Sequence, residues 1–205
     1  MSEMANILSF SGGKDSTAML HMMLSRNEPV DEVVYFGCDW DFPQMDDHLR
    51  LVEENTGIYI VRIRSYRHFN EYVRRYGMPH KSGGWCTARK RDTLMTFMRA
   101  MKRRHGNITE FIGFSTDELH RTERKTIKAR KWNIRYPLIE YDISSAWALD
   151  YCYGKGYDWN GLYNHFRRVS CFCCPKAGTK RIDTLKKHYP ELHEKYLDLL
   201  AQEPQ

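Results

Sequence analysis

The amino-acid sequence predicts an α/β fold: a mostly parallel sheet with helices on both faces, built as a single domain over residues 1–205 with a helical, cysteine-containing C-terminal part. Three observations predict it. Short β-branched and aromatic runs alternate with amphipathic helical segments, the pattern of strands joined by helical crossovers. A glycine loop stands between the first strand and the first helix. The length of 205 residues, with 41% hydrophobic and 28% charged residues, suits one globular domain, and no repeat, linker or low-complexity tract divides it.

Asn6–Phe10 is a short apolar run that ends in Ser11-Gly12-Gly13, and Ser16–Arg26 follows as a helix with Leu20, Met23 and Leu24 on one face. Glu32–Gly37 is the second strand. A turn-rich stretch, Cys38–Pro43, leads into a helix over Gln44–Asn55 that Thr56-Gly57 closes, and Ile58–Ile63 forms the third strand. A short helix at His68–Tyr76 precedes a loop at Gly77–Gly84, rich in glycine and containing Pro79. Thr87–His105 is the clearest helix, because Leu94, Phe97, Met98 and Met101 recur at helical spacing and Gly106 stops it. Ile108–Phe114 is the fourth strand, residues 115–133 are polar and basic, Ile134–Ile139 is the fifth strand, and Ile143–Tyr153 is helical. One or two helices are expected from Thr179 onward. Ligands of such sheets sit at the carboxyl ends of the strands, where Ser11–Ser16, Cys38–Asp41 and Ser115–Glu118 would converge.

The formal charge of +6 is unevenly spread. Residues 1–60 carry 3 basic and 11 acidic side chains, residues 61–135 carry 20 and 6, and residues 136–205 carry 9 and 9. The positive middle segment suits nucleic acid, nucleotide phosphates or sulfate, and equally a solvated face. Its densest stretch, Arg121–Lys131, has six basic residues in eleven, opposed by Glu123. No apolar run approaches the roughly 18–20 residues that span a bilayer and the N-terminus has no signal-peptide pattern, so a cytoplasmic protein without a membrane partner is expected.

Residues 11–16, SGGKDS, occupy the strand-to-helix position where backbone N–H groups and a helix N-terminus accommodate anionic oxygen. Gly12 and Gly13 allow close backbone approach, and the Ser11 and Ser16 hydroxyls can donate to phosphate oxygens. The pattern is not a Walker A loop. Read as pure structure, it is a tight turn with Ser16 capping the helix.

The six cysteines, in a chain expected to stay reduced, point to metal or redox chemistry rather than a disulfide framework. Cys171 and Cys174 are spaced CxxC before Pro175, and Cys86 supplies a distant third ligand. Cys173 is the local candidate for a fourth and Cys152 the other; a site of three cysteines and one histidine would bring in His165. Cys38 reads as a core or site-wall residue.

SGGKDS after an apolar strand resembles the pyrophosphate loop of the N-type ATP pyrophosphatases and the related phosphoadenylyl-sulfate (PAPS) reductases, which share a Rossmann-like fold. Four further stretches are similar to the PAPS reductase branch: FGCDWDFPQMDDHL at 36–49, GWCTARKR at 84–91, GFSTDELHR at 113–121 and NGLYNHFRRVSCFCCP at 160–175. The resemblance implies that Ser11, Gly12, Gly13, Asp15 and Ser16 hold the phosphate or sulfate end of an adenine nucleotide, with Asp39 nearby and Arg121 and Arg168 pairing with its oxygens. It implies an iron-sulfur cluster on Cys86, Cys171, Cys173 and Cys174, with zinc as the alternative. The chain departs from the family in carrying Gly84 and Gly161 where an arginine and a proline are expected, and in having no cysteine after Cys174. An ordinary PAPS reductase is therefore not expected.

The expected activity is that of an enzyme of sulfur metabolism that binds ATP with Mg²⁺, adenylylates an acceptor and releases pyrophosphate, with Lys14, Asp15 and Arg121 at the reacting phosphates. Nucleic acid or a small molecule would be the acceptor and a sulfur-donor protein a further partner. The alternatives are a reductase or sulfotransferase acting on adenylyl sulfate or PAPS, and a non-catalytic nucleotide- or nucleic-acid-binding accessory with structural zinc.

Overall fold

The computed structural model describes residues 4–80, 84–169 and 171–202. The elements run β1 (Ala5–Phe10), α1 (Lys14–Ser25), β2 (Glu32–Phe36), α2 (Gln44–Thr56), β3 (Ile60–Ile63), α3 (Phe69–Tyr76), α4 (Trp85–His105), β4 (Ile108–Ile112), a 3-10 turn at Thr116–Arg121, α5 (Lys125–Lys128), β5 (Asn133–Arg135), α6 (Pro137–Glu140), α7 (Ser145–Gly154), a 3-10 turn at Trp159–Gly161, α8 (Leu162–His165), a third such turn at Pro175–Ala177, α9 (Thr179–His188) and α10 (Pro190–Leu200). The five strands form one sheet in the order β3-β2-β1-β4-β5, and every pairing is parallel. Among the described residues no helix is long and apolar enough to cross a membrane.

Because side chains alternate along a strand, β1 serves two cores. Ala5 and Ile7 face α4, where Met98 and Met101 pack with Val34 and Ile108. Leu8 and Phe10 face the other side, against Met19, Leu20 and Met23 of α1 and Leu49 of α2. The loop expected at Gly77–Gly84 falls partly on residues 81–83, outside the described residues. The fifth strand stops at Arg135, short of the expected Ile139, because Pro137 occupies the first turn of α6 and has no N–H for a ladder. The basic stretch after β4 is not featureless: it holds a 3-10 turn and the short α5, which buries Ile127.

All five residues of β4 are buried, Glu110 among them at 0% exposure. A lone carboxylate there would be costly, so its oxygens are saturated. Ser9 Oγ donates to Oε1 at 2.7 Å, Trp132 Nε1 to Oε2 at 2.8 Å, and Arg130 pairs with Oε2. Glu110 thereby ties the basic segment after α5 to the underside of the site. Glu110→Ala would strand the Arg130 guanidinium, whose side chain is only 10% exposed. We expect a loss of about 3–5 kcal/mol, read as a lower urea midpoint at unchanged slope; a loss under about 1 kcal/mol would show that the ion pair does not carry the burial.

Candidate active site

The sheet order places β1 beside β2 on one side and β4 on the other, so successive crossovers leave from β1 in opposite directions. A crevice opens at such a switch point, beyond the carboxyl ends of the strands. Here it is a cleft of about 510 Å³ whose walls include Ser11, Ser16, Lys90, Gly113, Arg121 and Tyr163.

Its floor is the turn from β1 into α1. Gly12 adopts φ +71°, a conformation that favours glycine. The carbonyl of Gly12 accepts from Trp159 Nε1 at 2.7 Å, and the N–H of Lys14 donates to Tyr163 Oη at 2.9 Å. Ser16 Oγ donates to the Gly13 carbonyl at 3.0 Å, accepts from the Ser11 N–H at 3.2 Å and lies 3.0 Å from Ser11 Oγ. Gly113, at the end of β4, lies so close that a Cβ there would stand 3.2 Å from the nitrogen and Cα of Ser16. Two hydroxyls and the N–H groups of Asp15 and Ser16, in the first turn of a helix, where N–H groups have no partners inside the helix, therefore border a shared space, while the Lys14 N–H is taken by Tyr163.

The helix begins at Lys14, two residues earlier than the pattern suggested, and this redirects two side chains. Lys14 Nζ pairs with Asp15 at 3.0 Å and contacts Ser145 Oγ at the start of α7. Ser145 Oγ also donates to Asp15 Oδ1 at 2.9 Å, and its N–H donates to Asp117 at 2.6 Å. Lys14 and Asp15 thus brace α7 against α1 as well as lining the cleft.

Arg121 and Arg168 converge from different segments on one carboxylate, Glu118 Oε1, at 2.5 and 2.7 Å. Arg121 also lies 4.1 Å over the Phe114 ring, while Arg168 is largely exposed. Two guanidinium groups on one carboxylate leave net positive charge facing the loop. Asp39 is placed differently from the expectation: its oxygens accept from the N–H groups of Phe69 and Asn70 at 2.8 and 3.1 Å, capping α3, and it lines a neighbouring cleft of about 420 Å³. Asp41 lines both clefts.

The structure does not bring the four expected cysteines together around one ion. Among the described residues, the group of potential ligand atoms lying within 4.8 Å of one another is Cys38, Asp41 and Cys171. Cys173 is buried in the main core, which pushes its thiol up. Cys152, buried and pushed up to about 12, sits by the Lys14 carbonyl at 3.4 Å. His165 stacks on His188 at 4.0 Å. Cys86 lies within electrostatic reach of Cys171 and Cys174. The group within 4.8 Å describes ligands of a single ion, whereas the thiolates of a multi-iron cluster each hold a different iron and stand farther apart, and no chemical step is routed through such a cluster.

Cys171 turns toward the end of β2 for two reasons. The Phe172 N–H donates to the Trp40 carbonyl at 2.8 Å. Arg181 on α9 donates to the carbonyls of Arg168, Cys171 and Phe172 at 3.1, 2.9 and 3.1 Å. Its sulfur lies 3.7 Å from Cys38 Sγ and 3.1 Å from Lys90 Nζ. The hydrogen bond from Cys38, with the Lys90 ammonium beside it, brings Cys171 down to about 7 against the effect of burial. The same hydrogen bond and its own burial push Cys38 up. Burial disfavours the charge on Lys90, but Cys171, Cys38 and Asp41 outweigh it and hold the ammonium protonated.

In metal-free protein, alkylation of Cys171 by iodoacetamide, followed peptide by peptide in a mass spectrometer, is expected to have its pH midpoint at about 7. Lys90→Met should move that midpoint upward, since the thiolate loses its cation. A wild-type midpoint at the ordinary thiol value of about 8.5 would remove the activated thiolate from the site.

The family model for the phosphoadenosine phosphosulfate reductase domain matches residues 5–177. Two uncharacterized proteins of Methanocaldococcus jannaschii are each 27% identical, over 204 and 198 residues that cover 96% and 94% of this chain. The chain spans less than half of both relatives, 41% and 46% of their lengths. The solved structure of a predicted subunit of tRNA methyltransferase from the same organism aligns with 93% of this chain and 92% of its own, at 12% identity and a TM-score of 0.37, too slight a likeness for any functional argument. The match over residues 5–177, on an all-parallel sheet with its glycine turn at the switch point, makes this chain a member of the phosphoadenosine phosphosulfate reductase domain family.

Proposed function

We propose that the chain is an ATP pyrophosphatase of sulfur metabolism: it binds ATP with Mg²⁺, transfers the adenylyl group to an acceptor oxygen, and releases pyrophosphate, so that the acceptor is ready for sulfur transfer. The observation that carries this reading is the junction of β1 and α1, where the Ser11 and Ser16 hydroxyls and the first turn of α1 border a cleft large enough for a nucleotide.

The acceptor oxygen attacks the α-phosphorus and the bond to the pyrophosphate oxygen breaks, so negative charge builds on the leaving group. Ser11, Ser16 and the backbone at Gly12 and Gly13 stand where that charge would be received. Arg121 and Arg168 can exchange Glu118 for phosphate oxygens. Mg²⁺ would arrive with the nucleotide, with Asp15 the carboxylate beside the turn in the cleft wall. Lys14 acts through Asp15 and Ser145, holding the first turn of α1 in place. Basic side chains at the cleft, Arg91 and Arg168 among them, suit a polyanionic acceptor such as nucleic acid. A sulfur-donor protein would complete the sequence of partners.

One observation favours a second reading. The activated Cys171 thiolate, hydrogen-bonded by Lys90 in the cleft wall, is the kind of nucleophile a reductase or sulfotransferase needs. It would attack the sulfur of an adenylyl sulfate or PAPS, forming a cysteinyl thiosulfonate and expelling the nucleotide.

Pyrophosphate release, assayed on protein purified without oxygen, separates the two. The first reading expects slow release from ATP-Mg²⁺, stimulated by acceptor. Ser16→Ala should reduce it roughly tenfold to a hundredfold, the value of a hydrogen bond to a charged oxygen. Arg121→Ala should raise KM for ATP. Tight binding of adenylyl sulfate or PAPS, loss of sulfate label to Cys171 and no response to ATP would overturn the first reading in favour of the second.

A further inference from the structure

We propose that Cys38, Asp41 and Cys171 form a mononuclear site for a zinc-class divalent ion, with one coordination position left for an exogenous ligand, in the wall shared by the two clefts. Neither the glycine turn nor the choice of nucleotide enters this argument.

The geometry is that of a tetrahedron's face. A metal-sulfur bond of about 2.3 Å gives a sulfur-sulfur edge of about 3.8 Å, and Cys38 Sγ and Cys171 Sγ are 3.7 Å apart. With a metal-oxygen bond of about 2.1 Å the mixed edge is about 3.6 Å, and Asp41 Oδ1 is 3.4 Å from Cys38 Sγ. All three donors lie within 4.8 Å of one another.

The ligands are held in place by outer contacts. Asp41 Oδ2 accepts from Tyr35 Oη and from the Cys38 N–H, both at 2.8 Å, which fixes the carboxylate and leaves Oδ1 toward the sulfurs. Cys171 is set by the bonds of Phe172 and Arg181 described above. Lys90 Nζ stands 3.1 Å from Cys171 Sγ and 3.9 Å from Asp41 Oδ1, so it is the ion's competitor for this centre. An entering ion displaces the ammonium toward the larger cleft, which Lys90 also lines, and from there it can donate to a metal-bound thiolate as an outer partner.

Charge selects the ion. Two thiolates and a carboxylate carry three negative charges, and a divalent ion with Lys90 neutralises them. Thiolate ligands favour zinc over magnesium or calcium. Three protein ligands leave a fourth position, as in catalytic rather than structural zinc sites. Cys38 and Asp41 line the 420 Å³ cleft, so water or the sulfur of a small thiol can reach that position.

The test is cobalt substitution in the full chain, stripped of metal under reducing conditions. One equivalent of Co²⁺ should bind with the visible bands of tetrahedral cobalt and a near-ultraviolet thiolate-to-cobalt band. Cys38→Ser should lower the latter by about half, and Tyr35→Phe should weaken binding by roughly 10–100-fold. Cys152→Ala should leave both unchanged. Should Cys38→Ser fail to fold, the intensity of the wild-type band still counts the bound thiolates. Spectra that require Cys86 and Cys174 but not Cys38 would overturn the proposal in favour of a different cysteine centre. Failure to retain cobalt, with Cys38 and Cys171 crosslinking under a mild disulfide oxidant, would make them a metal-free thiol pair. Either failure leaves pyrophosphate release from ATP untouched, so this proposal and the nucleotide reading fall separately.

Discussion

The backbone between Ser11 and Lys14 is held from outside, and the site depends on that grip. A glycine turn is permissive by itself and would sample many shapes. Trp159 takes the Gly12 carbonyl and Tyr163 the Lys14 N–H, so two residues about 150 positions away choose one shape. Trp159 comes from the 3-10 turn after α7 and Tyr163 from α8 that follows it, and Trp159 and Asn160 adopt left-handed φ between the two helices. Strain in the connector is thus exchanged for order in the turn, a common arrangement where function needs preorganisation.

Buried charge is treated consistently. Glu110 and Arg181 are withdrawn from water and Lys90 is partly so, and each is met by partners of opposite character. Together they clamp the crevice from beneath, from one wall and from behind. The excess positive charge of residues 61–135 is accordingly not all surface decoration. Arg130 serves a buried carboxylate, Arg121 and Arg168 share Glu118, and Lys90 serves a thiolate.

The alternation of strands and helices was legible in the sequence because a parallel sheet covered on both faces demands short, continuous apolar runs between its helices. Positions whose state is decided by one proline or one cap were less so, as Pro137 and the early start of α1 show. The turn between β1 and α1 could be read from its glycines, since a tight strand-to-helix turn is a local feature. The cysteine arrangement could not. Spacing rules see Cys171 and Cys174 as a pair, whereas Cys38 lies 133 residues from Cys171 and meets it only through tertiary contacts. Ser145 had no motif to mark it, while Lys90 and Tyr163 lie inside two of the family-like stretches that gave neither of them a role. Gly113 carried one usable signal, a glycine at a strand end, whose meaning is the close passage of α1.

Arg181 alters where this domain can be said to end. The stretch matched by the family model closes at residue 177, yet the guanidinium that fixes the Cys171 carbonyl lies on α9, just past that limit. Stacked between Phe42 and Phe166, it belongs to the core as much as to the helix that carries it. An expression boundary drawn at the edge of the shared domain would release three carbonyls and open the back of the cysteine loop. In this chain the helical pair of α9 and α10 is a keystone set from outside the arch.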